Sequence, residues 1–224
     1  MTRTTNARIA GFTYLFYIAV AFPSMVLLDR ATSGEGMAAK LASMAQRATD
    51  VHVAVVLALL GCFSALVLAV TLYAITREQD PDLAMLGLTC RVAEGITGIF
   101  VARTLGLLWL ATATGANAPD TGAGHALGAF LLRGNVALTG TFFAVGSTLF
   151  SWLLLRGRMI PIPLAWLGVV ASVLIMVGLP LAAAGFLRGP VTSFMWIPMA
   201  AFEVPLALWL LIKDVAMPAQ MRSA

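Results

Sequence analysis

The stretch Phe194–Lys213, FMWIPMAAFEVPLALWLLIK, decides how the chain is read. It offers about 20 mostly apolar residues, enough helix at roughly 1.5 Å per residue to cross the hydrocarbon of a bilayer. One acid, Glu203, stands near its middle between Pro198 and Pro205. Proline has no amide N–H and opposes the helical bond one turn back, so the carbonyls of Phe194 and Ala201 are expected to lose their usual donors. In lipid such groups survive only where protein, water or a ligand satisfies them. An acid beside loosened backbone at that depth points to a site within the span.

Outward from that stretch, the composition is of the same kind. The chain is 60% hydrophobic and 11% charged, against about 25% charged for an ordinary soluble domain. The expected solvent is therefore the lipid bilayer, and the expected fold is an all-α integral membrane bundle of about six transmembrane helices. The net charge of +4 is spread along the chain, with no basic run interleaved with aromatics, so nucleic acid is excluded as a partner. Cys62 and Cys90 fall in apolar runs and form no metal-ligand spacing; they read as small apolar fillers. The two histidines, His52 and His125, are too few for the axial ligands of two haems. No P-loop, dinucleotide fingerprint, catalytic triad or metal-ligand cluster is present.

In chain order, the first apolar run extends from Arg8 to Leu28 and holds Pro23, where a kink is expected. Ala19-Val20-Ala21 is similar to a signal-peptide cleavage site, but the run continues past it to Asp29-Arg30 and reads as a span. Met37, Leu41, Met44 and Ala48 recur at three and four, with Lys40 and Arg47 off that face, which predicts a short amphipathic helix at the membrane interface. Asp50 stands where an N-cap belongs, and the second span then runs to Thr76. The third stretch, Leu83–Thr112, is about 45 Å if fully helical and must tilt, bend or project. Its Gly87, Gly95 and Gly98, with Thr97, offer a surface for close helix approach. The residues around His125 and Arg133 read as an interfacial turn or as the start of the fourth span, Val136–Leu155. The fifth follows Pro161 and Pro163, with Pro180 as a further kink. The whole, residues 1–224, is read as a single transmembrane domain with no repeat visible at periods of 20–50 residues.

Six spans put both termini on one side. Arg3, Arg8, Arg77, Arg156, Arg158, Lys213 and Arg222 collect there, against Arg30, Lys40, Arg47, Arg133 and Arg188 on the other. The richer side is expected to be cytoplasmic, with both termini inside.

Three charges fall at similar depth: Arg91 about 12 Å in, Glu203 about 15 Å and Glu94 about 16 Å. Arg91 and Glu94 share a helix face at i, i+3, and adjacency of spans three and six would bring Glu203 to them. One arginine balances one of two acids, and the other is expected to be carried neutral, able to act as an acid or hydrogen-bond donor. Glu203 and Glu94 are thus the candidate catalytic residues. Arg91, with Trp196 and Met199 on the Glu203 face, are candidate ligand contacts, and Asp50 and His52 are candidates at the opposite surface. The competing roles are ordinary: a pair that locks helices, apolar packing, a helix cap and an interfacial histidine. Arg103 reads as a snorkelling cation.

Three segments carry a resemblance. They are Arg8-Ile-Ala-Gly-Phe-Thr-Tyr-Leu, Ile160-Pro161 with Leu164-Ala165, and Phe202-Glu203 with Leu206-Ala207-Leu208-Trp209-Leu210. Together they resemble a bacterial multi-pass family catalogued as domain of unknown function 4386. The resemblance implies a compact helical membrane protein with Glu203 as a family feature and supplies no activity. The expected ligand is a hydrophobic, isoprenoid-like small molecule that the site binds or acts on. Small-molecule or proton-coupled transport and a structural, accessory role are the alternatives.

Overall fold

The computed structural model describes residues 1–96, 99–115, 118–132, 136–213 and 215–216. Ten helices follow in order among them: α1 (Arg3–Ala31), α2 (Gly36–Gln46), α3 (Ala48–Thr76), α4 (Pro81–Ile96), α5 (Ile99–Thr112), α6 (Thr121–Leu132), α7 (Val136–Arg156), α8 (Ile162–Ala183), α9 (Val191–Phe194) and α10 (Ile197–Ile212). No strand occurs among the described residues. Six stretches are long and apolar enough to cross a membrane: α1, α3, Pro81–Thr112, Thr121–Arg156, α8 and Val191–Ile212. Many large apolar side chains point outward, among them Phe63, Phe130, Phe186 and Ile212, as a lipid solvent allows and water would not. Thr97, Gly98, Arg133 and Arg222 lie outside the described residues.

Short polar side chains set the starts of α4 and α6. Asp80 Oδ1 accepts the Leu83 N–H at 3.1 Å, with Pro81 in the first turn of α4, and Asp120 Oδ1 accepts the Ala123 N–H at 2.9 Å at the start of α6. Asp50 differs from the expectation. α3 begins at Ala48, so Asp50 lies in its first turn and pairs with Arg47 at 3.7 Å.

The described residues fall into two compact units. The first comprises Met1–Tyr17, Phe63–Ile96 and Asn135–Ala224. Here α4 packs on α7, α7 on α8, and α8 on α10. Glycines permit these approaches. A Cβ at Gly87 would lie 3.2 Å from the Phe150 ring, and one at Gly168 would meet both the Phe202 ring at 2.5 Å and Ser151 Oγ at 2.7 Å. A Cβ at Gly11 of α1 would lie 2.6 Å from the Ala207 carbonyl oxygen of α10. Polar ties close one end of this unit: Arg3 Nη2 donates to the Ile75 carbonyl at 2.8 Å and pairs with Glu78 at 3.3 Å, and Arg156 pairs with Asp80 at 3.3 Å.

The second unit comprises Ile18–Cys62 and Thr97–Gly134. Ser24 Oγ donates to the Ala54 carbonyl at 2.9 Å. The apolar face of α2 packs on α5 and α6, with Met44 buried and Met37 seated against Gly128. Arg103 does not simply snorkel. Its Nε and Nη2 both donate to the Leu131 carbonyl, at 2.9 and 2.6 Å, and so satisfy one of the orphan carbonyls at the end of α6.

Candidate functional site: a buried arginine and two acids

The Glu203 stretch is not one uninterrupted helix. α9 ends at Phe194, Met195 and Trp196 form a turn, and Pro198 sits in the first turn of α10. At that position a missing N–H costs nothing, because the first amides of a helix have no intrahelical acceptor. Only Pro205 lies inside the helix, and it removes the donor that would have met the Ala201 carbonyl. Met199, Phe202, Glu203, Leu206, Ala207 and Leu210 form the buried face of α10, while Val204, Leu208 and Ile212 are exposed. The acid therefore faces protein, as the cost of a carboxyl against lipid requires.

On α4, Arg91 and Glu94 project one turn apart into the same interior. Arg91 is 1% exposed, and its Nη1 lies 2.7 Å from Glu94 Oε2. The stem of Arg91 passes over Gly146 of α7, where a Cβ would lie 2.8 Å from its Cγ and 2.9 Å from its Cδ. The guanidinium carbon sits 4.8 Å from the centroid of Phe143, also on α7, so ring and cation attract. Phe143 in turn meets Trp196 at 6.0 Å between centroids. Tyr17 of α1 hydrogen-bonds the Glu94 carboxyl. Tyr14, one turn earlier and 3% exposed, interacts electrostatically with Arg91, Glu94 and Glu203.

Glu203 is 7% exposed and within electrostatic reach of Arg91 and Glu94. No basic group among the described residues lies within 4.0 Å of it. The cluster does not require α4 to lie flat on α10. It is assembled through the sequence of contacts α4, α7, α8, α10, and by α1 where Gly11 meets Ala207. From that contact one turn along each helix leads to Tyr14 and to Glu203, so two of the segments that carried the resemblance touch beside the site.

The family model described as domain of unknown function (DUF4386) matches residues 9–213. The chain belongs to that family. No curated protein and no solved structure matches this DUF4386 member.

Of the residues singled out in the sequence, Arg91, Glu94, Glu203, Trp196 and Met199 are in the first unit, and Met199 is 2% exposed within its apolar core. Asp50 and His52 are residues of the second unit, where Asp50 pairs with Arg47 and His52 is exposed. Sequence reasoning missed Tyr14, Tyr17 and Phe143. Tyr14 and Tyr17 did leave a signal: two phenols at i, i+3 inside an apolar span, the first of them within the Arg8–Leu15 segment.

Proposed function

We propose that the cluster around Glu203 is a membrane-embedded site for a lipid-soluble, isoprenoid-like small molecule, on which Glu203 acts as the acid and Glu94, held by Arg91 and Tyr17, as its charged neighbour. The site is that of an acid-assisted enzyme or a binder; the same geometry serves both, because a buried neutral carboxylic acid either hands over its proton or donates a hydrogen bond. Met199, Trp196 and Phe143 supply apolar and aromatic walls. In this reading residues 1–224 work as one transmembrane domain in a bacterial inner membrane, termini in the cytoplasm.

One observation carries the proposal: the only close ion pair at the cluster among the described residues, Arg91 with Glu94, lies within a single helix. A pair within α4 does not clamp α4 to another helix, and Glu203 has no basic group within 4.0 Å to clamp to. Fixing the bundle therefore does not account for the buried acid on α10, whereas service to a bound molecule does.

The test is native mass spectrometry with ligand extraction on wild type and Glu203→Gln released from the same membranes. A defined small molecule held by wild type and lost or altered in the variant is expected. Identical apo spectra for both, with only a lowered melting temperature in the variant, would assign Glu203 a structural role instead.

A further inference from the structure

A guanidinium brings five N–H donors, and burying them without acceptors is costly. At Arg91 the 2.7 Å approach to Glu94 is a charge contact and not an aligned hydrogen bond: none of Nε, Nη1 and Nη2 directs an N–H at an acceptor among the described residues. Two further buried atoms of this unit have no hydrogen-bond partner among the described residues, Glu203 Oε1 and Ser147 Oγ. Ser147 follows Gly146, which seats the Arg91 stem, and stands one turn from Phe143, which seats the guanidinium; the residue is 4% exposed. An unsatisfied arginine, hydroxyl and acid thus stand on α4, α7 and α10 of the same unit, each more than nine-tenths buried.

The charge inventory selects the chemistry. Arg91 and Glu94 already balance and Glu203 is the neutral acid, so an anionic head would add an unpaired negative charge beside Glu94 and a cationic head an unpaired positive charge beside Arg91. A neutral head ending in an sp² oxygen changes no charge. Such an oxygen has two lone pairs, enough to accept from the planar fork of the guanidinium and from a hydroxyl. The Phe143–Trp196 pair at Arg91 and the apolar core that holds Met199, Phe202 and Leu210 suit an apolar remainder.

We infer that the site takes a neutral, apolar carbonyl compound whose oxygen is held by Arg91, with Ser147 as the second donor. The inference rests on the reading of the cluster as a small-molecule site and specifies the head group.

The probes are three straight-chain molecules of similar length, 2-undecanone labelled with carbon-13 at its carbonyl, decanoate and decyltrimethylammonium, added to the purified full chain in detergent. Isotope-edited infrared spectra are expected to show a saturable ketone band at lower wavenumber than in detergent alone, which decanoate does not displace. Ser147→Ala is expected to weaken ketone binding about tenfold, the scale of one buried hydrogen bond, and Arg91→Met to abolish the shifted band. If Arg91→Met is not monodisperse and helical, the wild-type competition and Ser147→Ala decide. An unshifted ketone band, or ketone binding unchanged in Ser147→Ala, overturns the carbonyl assignment. Saturable binding of decanoate or the ammonium in place of the ketone also overturns it and leaves the small-molecule site standing. Failure of all three probes to bind overturns both.

Discussion

Replacing Gly11 with alanine would set a methyl carbon 2.6 Å from the Ala207 carbonyl oxygen and 2.9 Å from the Leu211 nitrogen. Comfortable carbon–oxygen contacts are about 3.3–3.6 Å, so α1 and α10 must part by roughly 0.7–1 Å. Both obstructing atoms are backbone, and no side-chain rotation relieves them. Overpacking of this kind costs about 1–3 kcal/mol, while the helix preference of alanine over glycine returns about 0.5–1 kcal/mol. Gly61→Ala isolates the second contribution, because its new methyl meets nothing nearer than Val20 Cγ2 at 4.0 Å. The two variants should therefore differ by about 1–3 kcal/mol, with Gly11→Ala the less stable. At about 2–4 °C per kcal/mol for a chain of this size, thermal unfolding of both in one detergent, followed by circular dichroism, resolves the difference. Equal midpoints, or a higher midpoint for Gly11→Ala, would refute the close packing of α1 on α10 that brings Tyr14 toward Glu203.

Arg91→Met leaves Glu94 buried beside a lost cation and should destabilise by about 3–5 kcal/mol; adding Glu94→Gln should recover part of that, and strictly additive unfolding midpoints would contradict a coupled pair. Asp80→Ala removes both the cap on Leu83 N–H and the Arg156 partner, so it should cost about 1 kcal/mol or slightly more. Arg156→Ala loses only a half-exposed ion pair, and a cost above about 1 kcal/mol in the same unfolding assay would count against that ranking.

The spans were legible because about 20 consecutive apolar residues have few other uses. The Arg91–Glu94 contact was legible because residues three apart on a helix must be neighbours. The buried face of α10 followed from the same geometry, with Met199, Glu203 and Leu210 on one side and Val204, Leu208 and Ile212 on the other. What the sequence left open was tertiary. Nothing in the local pattern of α7 says that Phe143 will lie over Arg91, since an aromatic in an apolar span has the same signature against lipid and against a cation. Pro198 was misread as interrupting one long helix: proline interrupts a helix interior and equally well begins a helix, and the turn at Met195 and Trp196 makes it the second. Arg103 likewise had two ways to avoid lipid, water or a carbonyl, and the end of α6 supplies the carbonyl.

Glycines in membrane helices ordinarily let two backbones approach, and Gly11 does that against Ala207. Gly146 and Gly168 do something more specific. The first neighbour of a Cβ at Gly146 is the Arg91 stem, and at Gly168 it is the Phe202 ring, immediately before Glu203 in the chain. A side chain at either position would displace one of the residues that set the aim of the charged groups. Each glycine forgoes about 0.5–1 kcal/mol of helix stability relative to alanine. What this provides is placement: an arginine fixed along its stem and over Phe143, and an acid fixed by its neighbour's ring. Placement of that kind matters for a group that must meet a particular atom of another molecule, because a site held by packing on rigid helices loses little freedom when the molecule arrives. An acid needed only to fill space would gain nothing from it, and a leucine at residue 203 would fill the space at lower cost.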